Sequence, residues 1–335
     1  MSRKSSAGRN NQQKEKTPEL RPFGWAGLLI DVPEQWRLYK VEGSARQGQV
    51  GLADSMHPRL EILWDTVRNK GIDAHRLALR HLKRVVGKAA GKDFENAVER
   101  IRNDNFNPLL FYRNKSAGLD QCTAYCPKTY RAFEIVYHLN ASSEDDSFRK
   151  DMLASLKDQP ADSGQKWAFY SVSFVAPPGY VYSSSALNLG DMSVTLVDNH
   201  SRGLRPSVTI RQIYPAELAL SRKKMEEMLK DIAHQQHQVY RAKYRRWFGR
   251  GGIVSETADA GIGKAVVTDL QLRPLLLPFS WRMPRTQRLW LIHDVKSDRL
   301  ISIGVSSRPE QFAPILETVL KGLKWANETD EPGKT

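Results

Sequence analysis

Alternating apolar and polar residues recur in the same order in both halves of this 335-residue chain. In Pro58–Trp64, Leu60 and Ile62 stand two residues apart, as in a strand with one buried face. Val208 and Ile210 repeat this spacing in Pro206–Gln212. Two further pairs of strand-like segments lie 144 residues apart, Leu28–Trp36 with Val172–Tyr180 and Val50–Asp54 with Val194–Asp198. The pattern predicts three strands at the start of each half.

A helix, a hairpin and a closing helix are predicted to follow those strands in each half. Apolar residues spaced i, i+3 and i+7, which share one helix face, are Leu79, Leu82 and Val86, and then Met225, Met228 and Ile232. The hairpins pair Cys122–Cys126 with Arg131–Tyr137 and Trp290–Asp294 with Arg299–Val305. The closing helices carry Met152, Leu153 and Leu156, and then Val319, Leu320 and Leu323. Short turns between consecutive strands predict mainly antiparallel sheets.

Matched segments in one order predict an α+β protein of two tandem repeats, each a mainly antiparallel sheet flanked by helices. The expected divisions are a disordered basic tail at 1–20, repeat 1 at 21–158, a linker at 159–166, repeat 2 at 167–326 and a C-terminal tail at 327–335. Repeat 2 is predicted to contain a basic aromatic insertion at 240–288, an irregular or strand-rich stretch that is larger than its counterpart in repeat 1.

Each repeat resembles the PsbP-like superfamily. The resemblance rests on a strand ending in Val-Pro or Ala-Pro with an aromatic residue three positions on, a turn with Asp, and a last helix ending in Leu-Lys. These features are Val32-Pro33 with Trp36, Ala176-Pro177 with Tyr180, Asp54 and Asp198, Leu156-Lys157 and Leu323-Lys324. The superfamily includes extrinsic photosystem subunits and a nuclear import factor that binds the Ran GTPase. The resemblance therefore implies a binding or assembly protein without a catalytic centre, and it carries over no set of binding residues.

Charge and cysteine content narrow the expected setting. The formal net charge of +14 favours a polyanionic or acidic partner, the alternative being an ordinary solvated surface. Two cysteines exclude a disulfide framework, and residues 1–19 have no apolar core typical of a secretory signal. No apolar run approaches the roughly 20 residues that span a bilayer. A cytoplasmic protein without a membrane span is expected.

Candidate catalytic and metal-binding residues have simpler structural interpretations. Cys122 and Cys126 would share one strand face about 13 Å apart, too far for a disulfide and unsuitable for one metal ion. His234 and His237 share a predicted helix but have no third ligand in view. Ala260–Ala265 (AGIGKA) lacks the first Gly and the hydroxyl of a phosphate-binding loop. Ser183–Ser185 is predicted to be a loop without a nucleophile motif. No catalytic residue, metal site or cofactor is predicted, and a small-ligand pocket between sheet and helix stays open.

The basic aromatic segment at 240–288 is the strongest candidate site. It contains ten Lys or Arg and three acidic residues, so it holds half of the net charge. The predicted partner-binding residues are Arg241, Lys243, Arg245, Arg246, Trp247, Phe248, Arg250, Trp281, Arg282 and Arg285. Guanidinium groups bind carboxylate or phosphate, and aromatic side chains anchor interfaces or stack on bases. An acidic protein partner is the first hypothesis and nucleic acid is the second. Trp247 and Phe248 could instead belong to the core of a following strand.

Overall fold

The structure is a computed structural model that describes residues 19–67, 73–87, 94–114, 117–139, 146–170, 172–201, 205–243, 253–259, 264–271, 286–295, 297–307 and 309–325. Within these ranges the chain is mainly antiparallel sheet with a few helices, which confirms the α+β class. The strands form three sheets, two with seven strands and one with six.

The first seven-stranded sheet is called the N-sheet. Its strands are β3 (Arg37–Gly43), β4 (Gln47–Ala53), β5 (Pro58–Thr66), β6 (Glu99–Arg100), β7 (Leu109–Asn114), β8 (Leu119–Cys126) and β9 (Arg131–His138). They are antiparallel in the order β3-β4-β5-β9-β8-β7-β6. Burial alternates along β9, where Phe133, Ile135 and Tyr137 face the core. The alternation in the sequence thus has its expected physical cause, one buried face and one outer face.

The second seven-stranded sheet is called the C-sheet. Its strands are β13 (Tyr180–Asn188), β14 (Asp191–Asp198), β15 (Ser207–Ile213), β16 (Ile253–Asp259), β17 (Lys264–Gln271), β18 (Thr286–Asp294) and β19 (Arg299–Ser307). They are antiparallel in the order β13-β14-β15-β19-β18-β17-β16. In both seven-stranded sheets, therefore, the third strand pairs with the last one and the fourth strand lies at an edge.

A six-stranded sheet, called the seam sheet, joins the two halves. Its strands are β1 (Leu20–Trp25), β2 (Leu28–Pro33), β10 (Lys157–Asp158), β11 (Lys166–Phe169), β12 (Val172–Val175) and β20 (Lys324–Trp325). Their order is β10-β2-β1-β11-β12-β20. The halves meet where Gly24 pairs with Ala168, and a Cβ at Gly24 would lie 2.7 Å from the Lys166 carbonyl oxygen. A side chain is excluded there because backbone approaches backbone.

One hydrophobic core reaches all three sheets. Trp25 of β1 and Trp167 of β11 are both fully buried, and their ring centroids are 5.3 Å apart in an edge-on arrangement. Phe169 and Tyr182 also pack against Trp25, at 5.5 and 5.6 Å. Aromatic pairs of this geometry contribute about 0.5–1.5 kcal/mol beyond area burial. Side chains from both halves therefore stabilise the seam.

Six α-helices in the described part of the chain cover the sheets. They are α1 (Ala74–Val86), α2 (Phe94–Ala97), α3 (Asp146–Ala154), α4 (Ala216–Arg222), α5 (Met225–Lys243) and α6 (Pro309–Gly322). The first, α1, begins at Asp73, whose carboxylate accepts a hydrogen bond from the Arg76 backbone N–H. It packs on the outer face of the N-sheet, as α5 does on the C-sheet, while α3 and α6 pack on the seam sheet. No helix among the described residues is long and apolar enough to cross a membrane.

Several predicted elements are confirmed. Both hairpins are present, as β8 with β9 and as β18 with β19. Leu82 and Val86 are buried in α1, and Ile232 is buried in α5. Cys122 and Cys126 lie on the core face of β8 as free, buried thiols.

Other predicted boundaries and elements differ from the structure. The tail predicted to end at residue 20 ends earlier, because Leu20 already begins β1; residues 1–18 lie outside the described residues, as do 326–335. Ser183–Ser185 is part of β13, at a register shift, and not a loop. The linker predicted at 159–166 contains a 3-10 helix at Ala161–Ser163 and the first residue of β11.

The segment at 240–288 is not wholly an insertion. Its described parts are the end of α5, the strands β16 and β17, and the start of β18. Because the N-sheet has β6 and β7 at the corresponding places, the two strands belong to a shared strand order. Residues 260–263 of the Ala260–Ala265 string lie outside the described residues, and Lys264 begins β17.

Candidate functional site

Most residues of the predicted basic aromatic site lie outside the described residues. This applies to Arg245, Arg246, Trp247, Phe248, Arg250, Trp281, Arg282 and Arg285. Arg241 and Lys243 belong to the last turn of α5, but only their backbone is described. His234 and His237 lie earlier in the same helix, and only their backbone is described as well. The structure therefore does not test whether the members of this site lie together, and the site stays a prediction.

Two arginines from different strands share a hydrogen-bond acceptor where the halves meet, and the charge of a third arginine acts on the pKa of one of them. They are Arg21 of β1, Arg37 at the start of β3 and Arg299 at the start of β19, and they are called the seam arginines. Arg21 donates through Nη2 to the Trp36 carbonyl at 2.7 Å, and through Nη1 to the Tyr170 carbonyl. Arg37 donates through Nη1 to the same Trp36 carbonyl at 3.1 Å. Backbone carbonyls thus fix two of the three guanidinium groups.

The third seam arginine is held by an aromatic ring. The guanidinium carbon of Arg299 lies 4.8 Å from the centre of the Tyr214 ring, within the range of a cation–π contact. Its Nε is buried and has no hydrogen-bond partner. A buried N–H without an acceptor is unfavourable, typically by about 1–3 kcal/mol, so this donor has capacity for a ligand oxygen.

The seam arginines raise the positive potential at one another. Burial lowers the pKa of Arg21 to about 10, with Arg37 and Arg299 acting in the same direction and Glu34 opposing. Burial also lowers the pKa of Arg299, and Arg37 contributes, whereas Tyr214, Asp294 and Asp298 act the other way. Both shifts have the sign expected when like charges meet away from bulk water.

Among the described residues, no carboxylate forms an ion pair with a seam arginine. The nearest acidic groups have other roles. Asp298 accepts the Glu217 backbone N–H at 2.7 Å, and the Ser297 hydroxyl donates to Asp294. The positive charge of the cluster is therefore incompletely compensated within the described chain.

Arg131 in the N-sheet has a carboxylate partner, which the seam arginines lack among the described residues. Arg131 begins β9 as Arg299 begins β19, and each follows a non-glycine residue with positive φ, Tyr130 at 57° and Asp298 at 51°. Arg131 is buried and binds both carboxylate oxygens of Asp158, with Nε 3.1 Å from Oδ2. It also donates to the Ala26 carbonyl at 2.9 Å. The positive charge of Arg131 is therefore compensated by a carboxylate of the same chain.

The acidic partner of Arg131 has no acidic counterpart at the equivalent backbone position of the second half. Asp158 pairs with Leu28, the first residue of β2, and Trp325 pairs with Val172, the first residue of β12. The backbone position that supplies a carboxylate in the first half is therefore occupied by Trp325 in the second.

Exposed apolar side chains surround Tyr214 at the same end of the C-sheet. Tyr214 itself is 48% exposed, Leu218 is 54% exposed, Val295 is 75% exposed and Leu189 is fully exposed. The Tyr214 backbone N–H donates to the Gly190 carbonyl at 2.8 Å, which places the turn with Leu189 beside it. Backbone bonds from Ala216 and Glu217 to Asp298 bring the turn with Val295 against the start of α4. These four residues are called the apolar rim.

A groove lined by acidic residues lies beside α1 at the N-sheet. Its cavity of about 420 Å³ is lined by Glu42, Asp65 and Glu134, among others. His81 Nε2 lies 2.9 Å from Glu134 Oε2, and Arg84 donates through Nη2 to His81 Nδ1 at 2.8 Å. This pair of contacts assigns the Nε2–H tautomer to His81. The sequence left open such a pocket between sheet and helix. Among the described residues, no group of three His, Cys, Asp or Glu side chains is placed to hold a metal ion.

The sequence analysis missed the seam arginines, although a signal was present. The alignment of the two hairpins already matched Arg131 with Arg299, and the two Leu-Lys endings continue as Asp158 and Trp325. The matched segments thus share an arginine but differ in that one has an acidic residue where the other has an aromatic one. Recognising it required knowing that these positions lie beside each other, which only the seam sheet shows.

Comparisons with known proteins give a likeness of fold. No family model matches the chain, and no curated protein matches it. A solved structure of cyanobacterial PsbP (CyanoP) from Synechocystis sp. PCC 6803 matches with 16% identity and a TM-score of 0.32, over 48% of this chain and 92% of that one. A structure of MucB in complex with the periplasmic part of MucA matches with 8% identity and a TM-score of 0.16, over 89% of this chain and 82% of that one. The first of these proteins bears the name of the superfamily that the sequence resembles.

Proposed function

We propose that the protein is a non-enzymatic binding or assembly protein that docks an acidic protein partner on the apolar rim and the basic residues next to it. The observation that supports this proposal is a group of exposed apolar side chains beside Arg299, namely Leu189, Tyr214, Leu218 and Val295. Clustered exposed apolar side chains rimmed by polar residues are typical of protein interfaces. Single exposed apolar residues are common, but here three lie in neighbouring turns and connections and the fourth, Leu218, lies in the adjoining α4.

Charge complementarity supports an acidic partner. Arg299 stacks on a rim residue, and the charges of Arg299 and Arg37 both contribute to the lowered pKa of Arg21. The whole chain carries a net charge of +14, and the predicted segment at 240–288 supplies half of it. An acidic surface would be steered to this end of the protein and would then be anchored by the apolar side chains.

We also infer that the two halves are tandem copies of one unit, with repeat 1 at 21–158 and repeat 2 at 167–326. The common strand order of the N-sheet and C-sheet supports this inference. Turn geometry adds to it, because Ala26 and Tyr170, 144 residues apart, both have positive φ, at 50° and 53°. The rim would then be a property that the second copy acquired.

A capture experiment tests the docking surface. The tagged protein is incubated with a native lysate with and without nuclease, and captured proteins are identified by mass spectrometry. The double variant Leu189→Ser and Leu218→Ser is compared with Met56→Ser, because Met56 is an isolated residue that is 78% exposed in the first half. A partner captured by the parent and by Met56→Ser, resistant to nuclease and lost from the double variant, is the expected result.

Two outcomes would contradict the proposal. Capture that nuclease abolishes would favour nucleic acid, for which binding should weaken steeply with salt as phosphate contacts are lost. Capture that is equal in the double variant and in Met56→Ser would mean that the apolar rim is not the docking surface.

A further inference from the structure

We propose that the loop between β6 and β7 and the turn between β8 and β9 enclose a binding site for a phosphorylated small molecule of sugar-phosphate size. The cavity between them has a volume of about 420 Å³. Cavities of roughly 300–1,000 Å³ are typical of sites for small molecules. Three basic residues and one acidic residue line this cavity, namely Arg100, Arg102, Lys128 and Asp104. The site goes beyond partner docking, since it lies wholly in the first half and shares no residue with the apolar rim or the seam arginines.

The basic residues of the cavity carry charge that the described chain does not neutralise. Among the described residues, Arg100, Arg102 and Lys128 form no ion pair with a carboxylate, and all three are exposed. A dianion gains more than a monoanion from the excess positive potential, because Coulomb energy scales with ligand charge. Guanidinium forks match the oxygen spacing of phosphate, so a phosphate group suits this charge and these donors.

The side chain of Asn103 fixes the loop wall of the cavity. Its Nδ2 donates to the carbonyls of Ala154 and Leu156, each at 2.9 Å, which ties the loop to the end of α3. Its Oδ1 accepts the backbone N–H of Asn105 at 2.8 Å and that of Phe106 at 3.3 Å. One lining residue thus holds the course of the loop without a ligand.

The opposite wall, which carries Lys128, is fixed as well. The next residue in the turn, Thr129, donates through its hydroxyl to the buried carboxylate of Asp158. Loop and turn are also joined, because the Asn107 backbone N–H donates to the Tyr125 carbonyl at 2.9 Å, one residue before the end of β8. Since both walls are held in place, little ordering is needed when a ligand arrives.

The rest of the lining favours a polar ligand body over a nucleobase. Arg100 donates through Nη2 to Asn107 Oδ1 at 2.7 Å, which orients that amide and leaves its Nδ2 to donate to a ligand hydroxyl. Asn105 adds a second amide to the lining. The aromatic residue of the lining, Phe106, is buried and packs edge-on against Phe133 at 5.3 Å. Its ring is therefore not available for base stacking, which is a common mode of nucleobase binding.

Titration calorimetry on the full chain tests the site with glucose 6-phosphate as the probe. The measurements are made at pH 7.5, with ionic strength held constant by sodium chloride, and are repeated with inorganic phosphate and with glucose. The expected result is one saturable site per chain for glucose 6-phosphate, weaker binding of inorganic phosphate and no saturable binding of glucose.

Substitutions in the lining should change the affinity in opposite directions according to charge. Arg102→Gln and Lys128→Gln should each weaken binding of glucose 6-phosphate about tenfold or more, because each removes a charge-assisted hydrogen bond. Asp104→Asn should strengthen binding, because it removes the acidic residue of the lining. The matched controls are Arg76→Gln and Lys83→Gln, which remove exposed basic residues from α1 and should bind like the parent.

Several results would overturn the proposal. These are the absence of saturable binding, inorganic phosphate binding as tightly as glucose 6-phosphate, equal weakening by Arg102→Gln and Arg76→Gln, and weaker binding by Asp104→Asn. Thermal unfolding of each variant without ligand shows whether the variant is folded. Should Arg102→Gln fail to fold, the decision falls on Lys128→Gln and Asp104→Asn. Because no protein partner is present, failure here leaves partner docking on the apolar rim unaffected, and the reverse also holds.

Discussion

Asp158 and Trp325 occupy equivalent register positions at opposite edges of the seam sheet. Asp158 pairs with Leu28, the first residue of β2, and Trp325 pairs with Val172, the first residue of β12. The two halves therefore carry different residues, one acidic and one aromatic, at equivalent backbone positions of the seam sheet. In the first half Asp158 forms an ion pair with the buried Arg131, whereas no described carboxylate forms an ion pair with Arg299 in the second half.

Asp158→Asn should destabilise the protein strongly. The substitution keeps the shape of the side chain but leaves the buried Arg131 without its carboxylate, which typically costs about 3–5 kcal/mol. Urea unfolding monitored by tryptophan fluorescence measures the loss. Asp191→Asn breaks the more exposed pair of Asp191 with Arg211 and should cost about 1 kcal/mol or less. Equal losses in the two variants would show that Asp158 is not a special partner.

Asp54 should make the stability of the protein depend on acid pH. Burial acts to raise the pKa of Asp54, but hydrogen bonds from the His57 and Met56 backbone N–H groups and from Arg59 outweigh it and lower the pKa. A depressed carboxyl pKa contributes stability above the unfolded value of about 3.9, and this stability is lost as pH falls through the folded pKa. Asp54→Asn should therefore be less stable at pH 7, by about 2 kcal/mol. The difference from the parent should shrink below about pH 4. A difference that stays constant from pH 7 to pH 3 would contradict this assignment.

Cys122 should be unreactive in the folded protein. Burial raises the pKa of its thiol, with Asp120 adding to the shift, so the reactive thiolate is not populated at pH 8. Cys126 is also fully buried, on the same strand. Ellman's reagent should titrate no thiol in the native protein and two in urea. Rapid labelling of either cysteine under native conditions would mean that the core face of β8 opens.

Gly24→Ala should weaken the junction between the halves. The added methyl group would lie 2.7 Å from the Lys166 carbonyl oxygen, so backbone must move, at a cost of about 1–3 kcal/mol. Gly51→Ala in β4 is the control, because the new methyl group would meet only the ring of the exposed Tyr39, which can rotate away. Differential scanning calorimetry should show a larger decrease in Tm for Gly24→Ala. A larger decrease for Gly51→Ala would place the tighter contact elsewhere.

Local patterns in the sequence predicted strands of both outer sheets and two strands of the seam sheet, β2 and β12, but missed the central seam strands. The alternation of apolar and polar residues revealed β5, β9 and β15, because each of these strands has one buried and one outer face. The central strand β11 was missed because its apolar residues are consecutive, as Trp167-Ala168-Phe169, and β1 was missed because Pro22 and Gly24 interrupt its pattern. A short apolar run of this kind has no strand period, and it shows its role only when a partner from the other half covers it. The seam arginines were missed because they are far apart in the sequence. Arg37 and Arg299, for example, are separated by 262 residues.

The two ends of the seam sheet have a consequence for self-association. Within the described residues its outermost strands, β10 and β20, contain two residues each, so each offers a further strand very few free backbone groups. Long, flat outer strands act as templates on which further chains can add, and very short ones do not. A protein that joins its halves through continuous backbone pairing could have continued the same pairing into fibrils. The brevity of Lys157–Asp158 and Lys324–Trp325 ends that growth after six strands.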